Sequence, residues 1–162
     1  MMRFPFETPT VNITYSCWFR SNFSNVNQTP FTYSVNGNNE MLLFTNSNTQ
    51  IAPHPKGVSV AVNTTSMTNV WVNFTWSRAA ATGINRFYRD GVFLSQYTEN
   101  AGVNVSANGH LIIGQEADDT GGGFDANQNL DGDFASLAIY DRVLSDAEVL
   151  RNFNALRSRY GI

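Results

Sequence analysis

Between residues 11 and 20 apolar and polar side chains alternate, with Ile13, Tyr15, Cys17 and Phe19 on one face and Thr14, Ser16 and Trp18 on the other. A period of two is that of a strand with one face on a core. The same reasoning predicts strands over 31–35 and 41–45, over 58–62, and over 70–76, where Val70, Val72, Phe74 and Trp76 share a face. Residues 31–35 and 41–45 are joined through Asn36-Gly37, and 86–89 and 92–96 pair about Asp90-Gly91. Both dipeptides accept the positive φ angles that a tight hairpin turn demands. Short strands are expected at 111–114 and 133–140. Residues 21–30 read as polar loop, and 46–56, interrupted by Pro53 and Pro55, as another.

After residue 140 the period changes. Ser145-Asp146-Ala147-Glu148 has the spacing of a capping box, in which serine and glutamate each satisfy a free amide at the start of a helix. Val149, Phe153, Leu156 and Tyr160 then recur at helical spacing, and Gly161 can end the helix. Many short strands with a single late helix predict an all-β fold, a two-sheet antiparallel jelly-roll sandwich with one C-terminal helix. Trp18 and Trp71 alternate away from the Cys17 and Val72 faces. They are expected in the inter-sheet core, with sugar stacking on an exposed sheet as the other reading.

Composition narrows the function. The 162 residues suit one domain, 1–162, large enough for a core of its own. Charged residues make up 14%, the net charge is -3 and Lys56 is the single lysine, so neither a nucleic-acid footprint nor attraction to an anionic membrane is expected. No stretch has the makings of a signal peptide, and no run of about 18 apolar residues predicts membrane insertion. Cys17 has no partner cysteine and reads as a buried thiol. Six N-x-S/T sequons, at Asn12, Asn22, Asn27, Asn63, Asn73 and Asn104, carry little weight in a chain this rich in Asn, Ser and Thr.

The candidate chemistry sits in residues 114–128, GQEADDTGGGFDANQ. Glu116, Asp118, Asp119 and Asp125 fall within ten residues, Gln128 adds a neutral oxygen, and Gly121, Gly122 and Gly123 lie between the acidic groups. Hard oxygen donors on a bendable loop suit Ca2+, which takes about 6 to 8 oxygens in irregular geometry. A solvated acidic turn has the same composition.

The pattern GQE-x-D-x-x-GG-x-F-D-x-x-Q, followed by Gly132 and IYDRVLSDAEV, resembles the pentraxins and their laminin G-like, concanavalin A-like relatives, from about Phe4 to the terminal helix. A second patch, NNEMLLF at 38–44, resembles the pentraxin segment that brings two more calcium ligands from the other end of the chain. The resemblance implies one or two Ca2+ ions. One would be held by Asn38, Asn39, Glu116, the carbonyl of Ala117 and Asp118, the other by Glu116, Asp118, Asp125 and Gln128. Phe44 falls where a pentraxin aromatic lines the ligand pocket. Three carboxylates facing two divalent ions leave about one positive charge and open positions for an external oxygen. Ser16 and Asn73 occupy the places of the family's cysteine pair, Asn38 stands where an aspartate is usual, and no Asp or Glu lies between Met41 and Arg89 to hold a choline ammonium.

What the resemblance implies is a calcium-dependent binding module for a glycan or phosphoryl-containing ligand, extracellular or on a cell or virion surface. It would be part of a larger protein, with a homo-oligomer as one assembly open to it. The alternative is a structural or oligomerising domain in which calcium only rigidifies the loop. An enzyme is not expected. The E-x-D-x-x-E strand of related glucanases begins at Glu116 but has Gly121 in its last place, and His54 and His110, read as structural or surface residues, have no nucleophile beside them in sequence.

Overall fold

A computed structural model describes residues 2–24, 27–120 and 122–162. Gly121, the position that breaks the glucanase pattern, lies outside the described residues. Among the described residues eleven strands run in sequence order: β1 (Met2–Phe6), β2 (Asn12–Ser21), β3 (Gln28–Val35), β4 (Asn38–Ser47), β5 (Gln50–Pro55), β6 (Val62–Asn63), β7 (Val72–Ala79), β8 (Ile84–Arg89), β9 (Val92–Thr98), β10 (Gly109–Ile113) and β11 (Gly132–Tyr140). They form two antiparallel sheets, β1-β10-β3-β4-β5-β6 and β11-β2-β7-β8-β9. The helix α1 (Asp146–Leu156) and a 3-10 turn (Arg157–Tyr160) follow. This is the expected sandwich with one terminal helix.

The alternation in β2 works as anticipated. Ile13, Tyr15, Cys17 and Phe19 enter the inter-sheet core, where they meet Phe31, Tyr33, Met41 and Leu43 of the other sheet. The Cys17 thiol is fully buried, which pushes its pKa far up and leaves it unreactive. Asn36-Gly37 makes its turn with φ of 47° and 77°, a geometry in which only the glycine escapes a steric cost. The Asn73 amide donates to Ser16 Oγ at 3.3 Å and to the Cys17 carbonyl at 3.1 Å, a polar clasp between β7 and β2.

Several expectations are corrected. Residues 46–56 are not all loop, because Gln50–Pro55 forms β5 despite its two prolines. The carbonyls of Pro53 and Pro55 accept from Val60 and Val58. In an antiparallel strand a residue's nitrogen and carbonyl point the same way, so both proline nitrogens face away from β4 and its ladder loses no donor. Residues 58–62 contribute only Val62 to a strand, and Val70 lies outside β7 with 45% of its surface exposed. β3 begins at Gln28, inside the anticipated polar loop, and Gln28 is buried where Ser21 Oγ and the Asp131 amide reach its side-chain oxygen. β1 was not anticipated at all; it is an edge strand, a position that tolerates Pro5.

Neither reading of the tryptophans holds. Trp18 is 2% exposed, but it is buried on the outer face of the five-stranded sheet, stacked on Phe153 at 5.6 Å and Tyr160 at 4.1 Å. Trp71, half-buried beside Tyr160, carries the Arg20 guanidinium 5.2 Å above its ring. The helix therefore forms a third layer over the sheet.

The helix start follows the sequence. Ser145 Oγ accepts from the Glu148 amide at 3.4 Å and the Ser145 amide donates to Glu148 Oε2 at 2.8 Å. Arg142, with the Ser145 groups, holds the Glu148 carboxyl down at about 2. Ser145→Ala is expected to cost about 1 kcal/mol, read as a lowered urea midpoint with unchanged slope.

Candidate functional site

β10 lies in one sheet and β11 in the other, so residues 114–131 must cross the end of the sandwich. The neck of this crossing is fixed by backbone bonds from Gly114 to the Pro30 carbonyl at 2.9 Å and from Leu130 to the Gly114 carbonyl at 3.0 Å. Beyond the neck the loop doubles back: the amide of Asp118 reaches the Gly123 carbonyl at 3.3 Å and that of Asp119 the Gly122 carbonyl at 3.2 Å. Gly123 has φ of 67°, and a side chain there would start 3.0 Å from the Asp118 Cβ, so the fold-back requires a glycine.

The doubled loop lies against the β3–β4 hairpin. Ser34 Oγ donates to the Asp119 carbonyl at 2.8 Å, and the Asn36 amide donates to Thr120 Oγ1. Asn39 Nδ2 donates to Glu116 Oε1 at 2.9 Å, across 77 residues of sequence. The two distant patches thus meet at one place. Asn39 itself sits within reach of Thr32 Oγ1 at 3.4 Å.

Glu116 is 3% exposed. Its Oε2 is buried and receives no hydrogen bond among the described residues. Burial raises its pKa, the Asn39 amide opposes that rise, and the carboxylates of Asp118 and Asp125 reinforce it. Asp118 is exposed and Asp125 half-buried. Asp125 is anchored by Gln115 Nε2 on its carbonyl, by the Asn127 amide at 2.8 Å and by Gln128 Nε2 at 3.2 Å on its carboxylate. Ala117 is buried between Glu116 and Asp118. Asn38 is exposed and donates to the Asn36 carbonyl of its own turn at 3.2 Å.

Among the described residues no three His, Cys, Asp or Glu side chains are gathered closely enough to form a ready-made metal cluster. The donor chemistry nevertheless fits a hard cation. A buried, unpartnered carboxylate oxygen lies among like charges, which is the condition a cation relieves. The amides of Asn39 and Gln128 present nitrogen to neighbouring carboxylates, and a half-turn of either would present oxygen instead.

Sequence reading singled out Glu116, Asp118, Asp125, Gln128 and Asn39 as candidates, but not the residues that support them. Gln115 and Ser34 hold the loop, and Thr32 backs Asn39; the polar alternation of Thr32 and Ser34 against Phe31 and Tyr33 was the available signal. Glu116 and Asp118 stand on a loop rather than a strand, so they lack the alternating presentation of a glucanase. Phe44 and His54 lie in ring contact at 5.8 Å. An apolar groove of about 500 Å³, lined by Phe6, Leu111, Ile113, Phe134, Leu137 and Ile139, opens beside β1 and β11 and holds no carboxylate. No helix among the described residues is long and apolar enough to cross a membrane.

The pentaxin family model matches residues 1–157. Serum amyloid P-component of Bos taurus is 32% identical over 145 residues, covering 89% of this chain and 64% of that protein. C-reactive protein of Mesocricetus auratus is 33% identical over 120 residues, covering 74% and 53%. The chain therefore spans between about half and two-thirds of these relatives' length. Among solved structures, the native heptameric SAP-like pentraxin from Limulus polyphemus superposes with a TM-score of 0.79 at 21% identity, covering 91% of this chain and 72% of that one. The Ruminococcus gnavus IT-sialidase CBM40 bound to alpha2,3 sialyllactose has a TM-score of 0.71 at 12% identity, covering 94% and 97%, a likeness of fold.

Proposed function

We propose, from the premise that this chain belongs to the pentaxin family, that residues 114–128 and the β3–β4 hairpin form a calcium-dependent site for a glycan or phosphoryl-bearing ligand. The observation that carries the reading is Glu116, a buried carboxylate with a bare oxygen, flanked by Asp118 and Asp125 and touched by an amide from the opposite end of the chain. The residues that would hold calcium are Asn38, Asn39, Glu116, the Ala117 carbonyl and Asp118 in one position, and Glu116, Asp118, Asp125 and Gln128 in a second. Calcium would supply positive charge and open coordination sites for an external oxygen. The Asn38 amide nitrogen is used within its own turn, so its side-chain oxygen is the atom it could offer a cation.

Phe44 would line the ligand side. The CBM40 that holds sialyllactose has the same fold, which adds sialylated sugars to the ligands worth testing. The chain would act as one binding module, 1–162, of a secreted, cell-surface or virion-surface protein, without catalysis. Copies could assemble as in the heptameric relative.

Calorimetric titration with calcium, followed by a glycan array and a panel of phosphate esters with and without chelator, tests the reading. Two calcium events per chain are expected. Asp125→Ala empties the second position and removes ligand binding with little loss of fold stability, whereas Asn39→Ala weakens the first position by about tenfold and spares the second. Full calcium-dependent ligand binding by Asp125→Ala would refute the two-ion assignment. Calcium uptake with no ligand on either panel would leave calcium as a clamp on the loop.

A further inference from the structure

One of the six N-x-S/T sequons stands apart from the others. Asn12, Asn22, Asn27, Asn63 and Asn104 are exposed. Asn73 is 2% exposed, and Phe74 and Thr75, which complete its sequon, are buried with it. All three lie on β7, inside the five-stranded sheet between β2 and β8.

The backbone amide of Asn73 donates to Asp90 Oδ1 at 2.9 Å, and its carbonyl accepts from the Asp90 amide at 2.8 Å. Its side-chain Nδ2 has two N–H donors, and Ser16 Oγ and the Cys17 carbonyl accept from them. Thr75 Oγ1 lies 2.9 Å from Ser16 Oγ and 3.4 Å from Asn73 Oδ1. Val72 and Phe74 enter the inter-sheet core, so Asn73 and Thr75 turn to the outer face of the sheet. Trp18 is the direct cross-strand partner of Asn73 and shares that face, where Phe153 and Tyr160 stack on it. Asn73 is therefore part of the floor on which the helix layer packs.

N-glycosylation joins an asparagine Nδ2 to C1 of an oligosaccharide carried on a lipid diphosphate. The N–C bond forms, the C1–O bond to the diphosphate breaks, the amide gives up one proton and the lipid diphosphate leaves. The product keeps a single N–H at Nδ2, so one of the two bonds to β2 is lost, and a bulky hydrated chain begins where the helix packs. Once folded, Asn73 is out of reach of a transferase. Unfolded, it is an ordinary acceptor, and the helix that closes over this face is synthesised more than seventy residues later. Wherever the chain emerges into a lumen that holds the transferase, transfer precedes burial.

We infer that a glycan on Asn73 and the native fold exclude one another, and that this chain reaches its fold without meeting an oligosaccharyl transferase. A secreted or surface destination is then reached by a route other than the endoplasmic reticulum. The inference is independent of the calcium site.

The test expresses the chain in the bacterial cytosol and, behind a cleavable secretory signal, in animal cells, with site-specific glycopeptide mass spectrometry on the secreted and the retained protein. Asn73 is expected to carry glycan in the retained fraction alone, while secreted molecules have an unmodified Asn73 and melt cooperatively like the bacterial protein. Thr75→Val and Asn73→Asp remove the sequon from opposite ends. Either variant that melts within about 5 °C of the wild type when made in bacteria should raise the secreted yield about fivefold. A glycan on Asn73 in secreted, cooperatively melting protein overturns the inference. So does an unmodified Asn73 in every fraction, or an unchanged secreted yield for a variant that folds. The wild-type fractions decide the matter should neither variant fold.

Discussion

Calcium at a hundred times its dissociation constant should stabilise the folded chain by about 2.7 kcal/mol, provided the unfolded chain has no affinity for it. For a domain of this size that corresponds to a rise in Tm of roughly 5–10 °C. The physical cause is the arrangement around Glu116. Folding brings its carboxylate beside those of Asp118 and Asp125 and removes it from water, a cost that a bound cation offsets. The inter-sheet cluster draws on both sheets and, among the described residues, takes none from the acidic loop, so the chelated protein should stay folded and lose order mainly around Gly122 and Gly123. Differential scanning calorimetry in millimolar calcium and in chelator measures the difference. An unchanged Tm would count against the site.

Glu116→Gln should move stability in opposite directions with and without calcium. With calcium the variant forfeits up to about 2.7 kcal/mol, because the residue proposed to bridge both positions has lost its charge. In chelator the sign reverses. The folded-state pKa of Glu116 is raised above its unfolded value, chiefly by burial, so its favourable contribution is complete below the unfolded value and is lost as pH rises through the folded one. At pH 7 the ionised glutamate therefore weakens the chelated fold, and a neutral glutamine does not. Glu116→Gln should melt above the wild type in chelator at pH 7, with the advantage shrinking as pH falls toward the ordinary glutamate range. Melts at pH 7 and 5 in both solutions give a four-way comparison. A variant less stable than the wild type in chelator at pH 7 would show that Glu116 is not held under electrostatic strain.

The sandwich, its hairpins and the terminal helix were legible in the sequence because each depends on local chemistry. Strand alternation around Cys17, the Asn36-Gly37 and Asp90-Gly91 turns and the Ser145 to Glu148 capping box all act over a few residues. The acidic loop was legible for the same reason, since its glycines and carboxylates are adjacent in the chain. Tertiary structure alone decided the rest. Pro53 and Pro55 are compatible with β5 only because their nitrogens face away from β4, a fact of pairing that no local propensity contains. Trp18 is buried by a helix more than a hundred residues later, on the outer face of its sheet rather than in the inter-sheet core where its sequence pattern had placed it. The bond from Asn39 to Glu116 likewise exists because β3, β4 and β10 are neighbours in one sheet, which brings a hairpin and a distant loop to the same end of the sandwich. Side-chain period and turn chemistry are short-ranged, whereas burial and coordination depend on which strands become neighbours, and that is settled by the packing of the whole chain.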